Sequence, residues 1–169
     1  VKATPPSGWT CAVTPATLTL NPGTSGTATV AVTAPLTVTS GTYGIQIGVS
    51  AASHPSSTAT CSYQVDALAP NAVTNLSVSV RRSVVTGTWT APTDAGGSGL
   101  ASYEVWRSEN GGAFTQIMTV STTTFKDTLG TAASYGYMVV AVDKAGNHAA
   151  VGNTVTLQNS TTSTKTPRK

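Results

Sequence analysis

The chain has 169 residues, and only 9% of them are charged, against about 25% in typical soluble domains. Its net charge is +3, but Lys165, Arg168 and Lys169 lie at the C-terminal end, and the rest of the chain is neutral. A nucleic-acid partner requires a basic face. This composition therefore argues against one, and the adjacent Arg81 and Arg82 are better explained as an exposed hairpin tip.

The sequence shows no candidate membrane span, because no apolar run approaches the roughly 20 residues that a helix needs to cross a bilayer. Residues 1–20 lack the charged start and the apolar core of a signal peptide. We therefore expect a mature or excised segment without a membrane span.

Apolar and polar residues alternate along short runs, and Gly, Pro or Asn separates one run from the next. This pattern is typical of β-strands joined by turns, and no window keeps helical spacing of apolar residues for more than about one turn. Because β-sandwiches run to roughly 100 residues each, the length favours two of them. The sequence predicts an all-β chain of two tandem sandwiches.

The first half contains the clearest predicted strand, 42–51, where apolar and polar residues alternate throughout. A type II turn is predicted at Asn21-Pro22-Gly23, because Pro restricts φ at the second position and Gly accepts a positive φ at the third. The half is expected to end at the linker 66–71, where Pro70 restricts its neighbour to extended geometry. The predicted strands here are 9–13, 17–20, 27–32, 42–51 and 57–65.

The two cysteines, Cys11 and Cys61, both lie in this half, in or next to predicted strands. A zinc site needs about four ligands, and the chain has neither Cys-x-x-Cys nor His-rich spacing. We predict a disulfide between them in preference to two buried free thiols. In the chain-entropy model such a bond would stabilise the fold by roughly 4 kcal/mol, and it would imply an oxidising compartment.

This half contains five short motifs in succession: Gly8-Trp9, Pro15-Ala16-Thr17-Leu18, Leu20-x-Pro22-Gly23, Val30-x-Val32-x-x-Pro35 and Gly41-Thr42-Tyr43. Together they resemble the immunoglobulin-like domain attached to bacterial secreted glycosidases and peptidases, over about residues 5–66. In that family one or two strands precede the Gly-Trp motif, whereas in this chain only seven residues precede it. The resemblance implies an abbreviated first sandwich, either because the chain is a fragment or because a strand comes from elsewhere.

The second half has seven predicted strands, separated by Gly-, Asn- and Asp-containing turns. They are 73–80, 84–89, 102–108, 114–120, 122–126, 135–143 and 151–157. This half contains the following residues and motifs: Pro70, Leu76, Trp89-x-x-Pro92, Tyr103-Glu104-Val105-Trp106-Arg107, Phe125-x-Asp127, Tyr135-x-Tyr137-x-Val139-x-Ala141 and Asp143-x-x-Gly146-Asn147. Together they resemble a fibronectin type III domain over nearly all of residues 70–158.

The resemblance implies specific roles for two aromatic residues. Trp89 would be the core Trp of the second strand, and Tyr135 would form a Tyr corner by bonding back to the chain near Leu129. The expected organisation is an immunoglobulin-like sandwich at 1–66, a fibronectin type III sandwich at 67–158 and a polar Ser/Thr-rich basic tail at 159–169.

No set of residues predicts an active site, because the few acidic residues and the two His are scattered over turns and strand edges. Asp94 and Asp143 are the most notable carboxylates, since the fibronectin type III topology would bring their two loops to one end. Calcium takes six to eight oxygen ligands, so the pair suggests at most a weak site. Turn hydrogen bonds explain both residues better, and no cofactor is predicted.

Three residues are candidates for a ligand or interface: Trp106, Arg107 and Trp9. If Tyr103 and Val105 face the core, alternation turns Trp106 outward, where it would pack at an interface or, as the weaker alternative, stack on a sugar. Trp9 is expected to be partly uncovered because its sandwich is abbreviated.

Two functional hypotheses follow. In the first, the chain is a non-catalytic spacer or docking module of a secreted bacterial hydrolase, whose partners are the catalytic domain of the same polypeptide or a polymeric substrate, protein or polysaccharide. In the second, it is a self-associating subunit or adhesive segment of an extracellular filament, in which an open sheet edge accepts a neighbour's strand. A catalytic role is not predicted.

Overall fold

A computed structural model describes residues 1–159 of the chain, and the polar tail lies outside these residues except for Asn159. The chain divides into two compact units, the first spanning Val1–Ala67 and the second beginning at Leu68. Each unit is built of β-strands and turns, so the predicted all-β fold of tandem sandwiches is confirmed. Within this described part, no helix is long and apolar enough to cross a membrane.

The first unit consists of two small antiparallel sheets. One sheet has the order β1-β4-β5 and the other pairs β2 with β3. The predicted strand at 17–20 is wrong, because this segment carries no strand pairing, while a short N-terminal strand was not predicted. The five strands are β1 (Lys2–Thr4), β2 (Thr10–Thr14), β3 (Thr29–Thr33), β4 (Gly41–Ala51) and β5 (His54–Val65).

The core of the first unit is small and centres on Trp9, which is 6% exposed, and Ile45, which is 1% exposed. The Trp9 ring lies 4.7 Å from that of Tyr43 and 5.6 Å from that of Tyr63. By contrast, every β5 residue before Val65 is exposed. Burial therefore ends at β4, and β5 forms an open edge of its sheet.

The predicted disulfide is absent, and both cysteines are free thiols. Cys11 is partly buried on β2, whereas Cys61 lies on β5 opposite Ile45 of β4 and is exposed. The two thiols thus belong to different sheets, and Cys61 sits on the edge strand where the inner face is uncovered. The alternating sequence pattern predicts that each cysteine lies in or next to a strand, but it does not predict the distance between the two sheets.

The second unit consists of a three-stranded sheet and a four-stranded sheet. Their strand orders are β10-β7-β6 and β12-β11-β8-β9, and all neighbours are antiparallel. The seven strands are β6 (Ser77–Arg81), β7 (Val84–Thr88), β8 (Leu100–Glu109), β9 (Thr115–Val120), β10 (Thr124–Thr128), β11 (Ser134–Asp143) and β12 (Val155–Gln158).

Aromatic rings form the centre of the second core. Trp89 lies edge-on to Tyr103 at 5.1 Å and is tilted against Phe125 at 6.2 Å, and Phe125 in turn lies 5.4 Å from Tyr137. These arrangements are favoured for aromatic pairs. Gly87 is directly opposite Phe125 across the β7–β10 pair, and a side chain there would overlap the Phe125 ring, so the glycine is required by packing. The predicted core role of Trp89 is thereby explained.

Asparagine side chains replace missing strand pairing in the second unit. Asn153 accepts the backbone N–H of Leu76 at 3.0 Å and donates to the Leu76 carbonyl at 3.0 Å, which copies one rung of a sheet. Asn159 is 5% exposed and donates to the carbonyls of Gly130 and Ala132. Because buried backbone groups must be paired, these amides stabilise segments that lie outside the strands.

Tyr135 forms the predicted Tyr corner, with its partner displaced from the expected position. Its hydroxyl accepts the backbone N–H of Ala132 at 3.1 Å, and the side chain is fully buried. The contact joins residues three apart at the entry to β11. It therefore anchors the loop that follows β10 to the first residues of β11.

We expect Tyr135→Phe to lower the free energy of unfolding by about 1–3 kcal/mol, because the buried N–H of Ala132 loses its acceptor. Tyr43→Phe is the matched control, since the Tyr43 hydroxyl bond to the Thr39 carbonyl is exposed, and its loss should cost about 1 kcal/mol or less. Urea denaturation followed by circular dichroism measures both. Equal destabilisation by the two variants would contradict a corner role for Tyr135.

Candidate functional site

Strand β8 presents two chemically different faces. Tyr103 and Val105 are 4% and 0% exposed and point into the core, so alternation places Glu104 and Trp106 on the outer face of the four-stranded sheet. Trp106 is half-buried there. The predicted outward position of Trp106 thus agrees with the burial of its neighbours.

The Trp106 indole is held in place by a carboxylate. Its Nε1 donates to Oε2 of Glu104 at 3.3 Å, and Nδ1 of His148 lies 3.5 Å from the same oxygen. The Glu104 side chain is 16% exposed and that of His148 is 55% exposed. The carboxylate is therefore largely covered by these two rings, and His148 remains open to solvent.

A short apolar surface surrounds Trp106 on the outer face. Met138 is its cross-strand partner on β11, and Val140 is the partner of Glu104. A Cβ on Gly136 would lie 2.5 Å from Oγ of Ser108 and 3.2 Å from Cζ of Phe114, so the Phe114 ring rests on this glycine. We call Phe114, Trp106, Met138 and Val140 the aromatic strip.

Polar side chains follow the aromatic strip on the β9 side. Gln116 is the cross-strand partner of Trp106, and Thr119 is the partner of Glu104. Both are exposed, and the Gln116 amide donates to Oγ1 of Thr119 at 2.9 Å. The outer face thus combines two aromatic rings with an exposed amide, a hydroxyl and an imidazole. Sequence reasoning missed Phe114, although a glycine inside a strand indicates a close approach.

Arg107 lies on the opposite, inner face and forms ion pairs. Its guanidinium bonds to Asp127 at 3.0 Å and to Glu109 at 2.8 Å, and its Cζ lies 5.5 Å from the centre of the Tyr135 ring. Partial burial alone lowers the pKa of Arg107, but the bond to Asp127 and the two nearby charges outweigh it, so the pKa is raised. The structure therefore separates Arg107 from Trp106 and explains its position by internal pairing.

Asp127 joins Arg107 to a buried tyrosine. The Tyr137 hydroxyl donates to Oδ2 of Asp127 at 2.6 Å, the oxygen that also accepts from Arg107. Burial raises the pKa of Tyr137 strongly, and the hydrogen bond to Asp127 raises it further. The neutral phenol is thus the form that the folded unit stabilises.

Asp94 and Asp143 lie close together, with carboxylate oxygens within 4.8 Å of each other. Asp94 accepts the backbone N–H of Gly96 at 3.2 Å and of Gly99 at 2.6 Å. Asp143, which is 2% exposed, accepts the backbone N–H and the side-chain amide of Asn147, both at 2.8 Å. Each oxygen already accepts a turn hydrogen bond, and the weak calcium site stays a prediction.

Trp9 does not fit the expectation of a partly uncovered ring. Its 6% exposure leaves almost no surface for a ligand, because Tyr43 and Tyr63 cover it even though β5 is open. The three residues predicted as ligand or interface candidates therefore lie in different environments. Trp9 is a core residue of the first unit, Arg107 is paired on the inner face, and only Trp106 belongs to an outer surface.

Comparison with known proteins relates the chain to two glucanases. Endoglucanase B of Cellulomonas fimi is 43% identical over 112 residues, which are 64% of this chain and 10% of that protein. Exoglucanase B of the same species is 38% identical over 105 residues, 61% of this chain and 9% of that protein. The chain therefore spans only about a tenth of the length of these relatives. No protein-family model matches it.

Solved structures similar to this chain cover about half of it or most of it. A fibronectin type III-like protein from Clostridium thermocellum is 31% identical and covers 54% of this chain and 94% of that one, with a TM-score of 0.45. Domains A168–A170 of titin cover 90% of this chain and 56% of that one, with 18% identity and a TM-score of 0.53. At that identity the titin likeness shows the fold alone.

We expect the free energy of unfolding to fall as the pH rises above about 10, where tyrosine ionises in the unfolded chain. Tyr137 keeps its proton in the folded state because its pKa is raised, so the unfolded state binds fewer protons and alkali favours unfolding. Tyr137→Phe should weaken this pH dependence. Urea denaturation between pH 8 and 11 measures it, and an unchanged slope in the variant would show that Tyr137 is not responsible.

Proposed function

We propose that this chain, whose second unit belongs to the fibronectin type III family, is a non-catalytic accessory module of a secreted bacterial glycan hydrolase. The observation that carries the proposal is the 43% identity to endoglucanase B across a segment that forms only 10% of that protein. A segment that is a small part of a much longer enzyme is typical of an attached domain. The expected partners are a catalytic domain in the same polypeptide and its polymeric glucan.

The use of carboxylates in the second unit supports a non-catalytic role. Hydrolysis of glycosides commonly needs two carboxyl groups that flank the scissile bond. Every Asp and Glu described in this unit has an internal partner instead. Asp94 and Asp143 bond turn N–H groups, Glu104 bonds Trp106, and Glu109 and Asp127 bond Arg107.

The proposed location is extracellular, because an insoluble glucan can be reached only outside the cell. The low charge of the chain suits a module that acts near a neutral polymer, since 9% charged residues create little long-range field. Spacing and docking both fit this role. They differ in whether the module itself binds glucan.

A second candidate function rests on the open edge of the first unit. Strand β5 has 12 residues and, in the described part of the chain, pairs only with β4. From residue 56 to residue 65 it has no Lys, Arg, Asp, Glu or Pro, the residues that commonly protect edges from pairing. This edge favours self-association by strand addition, as in the filament hypothesis.

The accessory role is tested in the parent protein, identified from the reading frame that encodes this segment. Deletion of the segment should leave the rate on a short soluble oligosaccharide unchanged and lower the rate on insoluble glucan by about tenfold, because tethering raises the effective concentration. The isolated chain should show no hydrolysis. Measurable turnover by the isolated chain, or a reading frame without a catalytic domain, would overturn the proposal.

The filament hypothesis predicts assembly that depends on the edge of β5. Sedimentation velocity over rising concentration should show assembly by the native chain and its loss in Thr60→Lys, because a charge on an edge strand opposes pairing. Thr156→Lys is the control, since Thr156 is exposed on β12 of the second unit. A native chain that stays monomeric would remove this candidate.

A further inference from the structure

We propose that the aromatic strip of the second unit binds an uncharged glucan chain, with Trp106 and Phe114 stacking on its sugar rings. The inference rests on the proposed accessory function and adds to it the surface that holds the substrate. If the strip binds glucan, the module docks the enzyme on its substrate and is more than a spacer. Its structural basis is the arrangement of rings, polar groups and charges on one sheet face.

The two aromatic rings follow the direction of β11. Phe114 rests on Gly136, and Trp106 lies beside Met138. These backbone positions are two residues apart, which is about 7 Å along a strand. A row of rings on a flat sheet suits an extended chain of repeated rings better than a single small molecule.

The Trp106 ring is preorganised for contact. The Glu104 carboxylate fixes its N–H edge, and the buried Val140 forms part of the floor beneath the strip, at 7% exposure. Binding to a ring that is already held costs little side-chain entropy. The glycine beneath Phe114 serves the same end, because a side chain there would displace the second ring.

Hydrogen-bonding groups border the strip on both sides. Gln116 and Thr119 are exposed on β9, and His148 lies across the sheet, where its Cα pairs with Val142 of β11. A sugar ring has an apolar face and a rim of hydroxyls, so it needs an aromatic surface with donors and acceptors beside it. The outer face offers this combination.

Charge and exposed area discriminate among other ligands. The residues that the strand register assigns to this face include no Lys or Arg, and their one carboxylate, Glu104, is covered by Trp106 and His148. A phosphorylated or acidic polymer would find no cationic side chain on this face to pair with. A stable protein interface buries about 800 Å² and involves roughly 20–30 residues per partner, whereas the aromatic strip consists of four residues, of which Val140 is buried. A neutral polysaccharide fits best.

The test is depletion of the whole 169-residue chain from solution by microcrystalline cellulose, with Trp106→Ala and Trp106→Phe compared at equal concentrations. Loss of the ring should weaken binding by about three- to tenfold, the range that aromatic stacking supplies, and Phe should retain most of it. Leu36→Ala is the control, because Leu36 is an exposed apolar side chain of the first unit, away from the strip. Thermal melting checks that each variant is folded.

Gln116→Ala provides a second test that does not disturb packing, since Gln116 is exposed, and it should weaken binding less than Trp106→Ala does. Failure of the native chain to bind cellulose, or equal binding by folded Trp106→Ala, would overturn the inference. Self-association that Trp106→Ala abolishes would assign the strip to a protein contact and would also overturn it. The accessory role is judged separately, by the deletion in the parent enzyme.

Discussion

The register between β8 and β11 is the constraint on which the second unit depends. Side chains alternate with a period of two, so a shift by one residue would bring Glu104 and Trp106 into the core and expose Tyr103 and Val105. The aromatic core, the ion pairs of Arg107 and the outer aromatic strip all follow from this single pairing. The same register therefore serves stability on one face and the proposed glucan contact on the other.

Polar side chains hold this register where strands are short. Asn153 pairs with both backbone groups of Leu76, Asn159 satisfies two loop carbonyls, and the hydroxyl of Tyr135 anchors the start of β11. Each bond occupies a backbone group that would otherwise be buried without a partner, which costs about 1–3 kcal/mol. A domain with few charges thus obtains its loop order from amides and hydroxyls rather than from surface salt bridges.

The two units contrast in how completely they bury their sheets. The second has a continuous core in which Tyr135 and Tyr137 are fully buried, whereas β5 of the first is exposed along almost its whole length. The two aromatic candidates also differ: Trp9 is covered by Tyr43 and Tyr63 in spite of the open β5, and Trp106 lies at a surface. The open edge of β5 and the outer aromatic strip are two distinct surfaces for contact.

The sequence by itself determined the strands, the turns and the core positions of the second unit, because alternation with period two and the Gly, Pro and Asn signals are local. It also predicted which face Trp106 occupies. Only the tertiary structure decided contacts between distant segments. These include the separation of Cys11 from Cys61 on different sheets and the burial of Trp9. They also include the ring of Phe114 over Gly136, because the distance between sheets and the packing of side chains across strands are set by the whole fold.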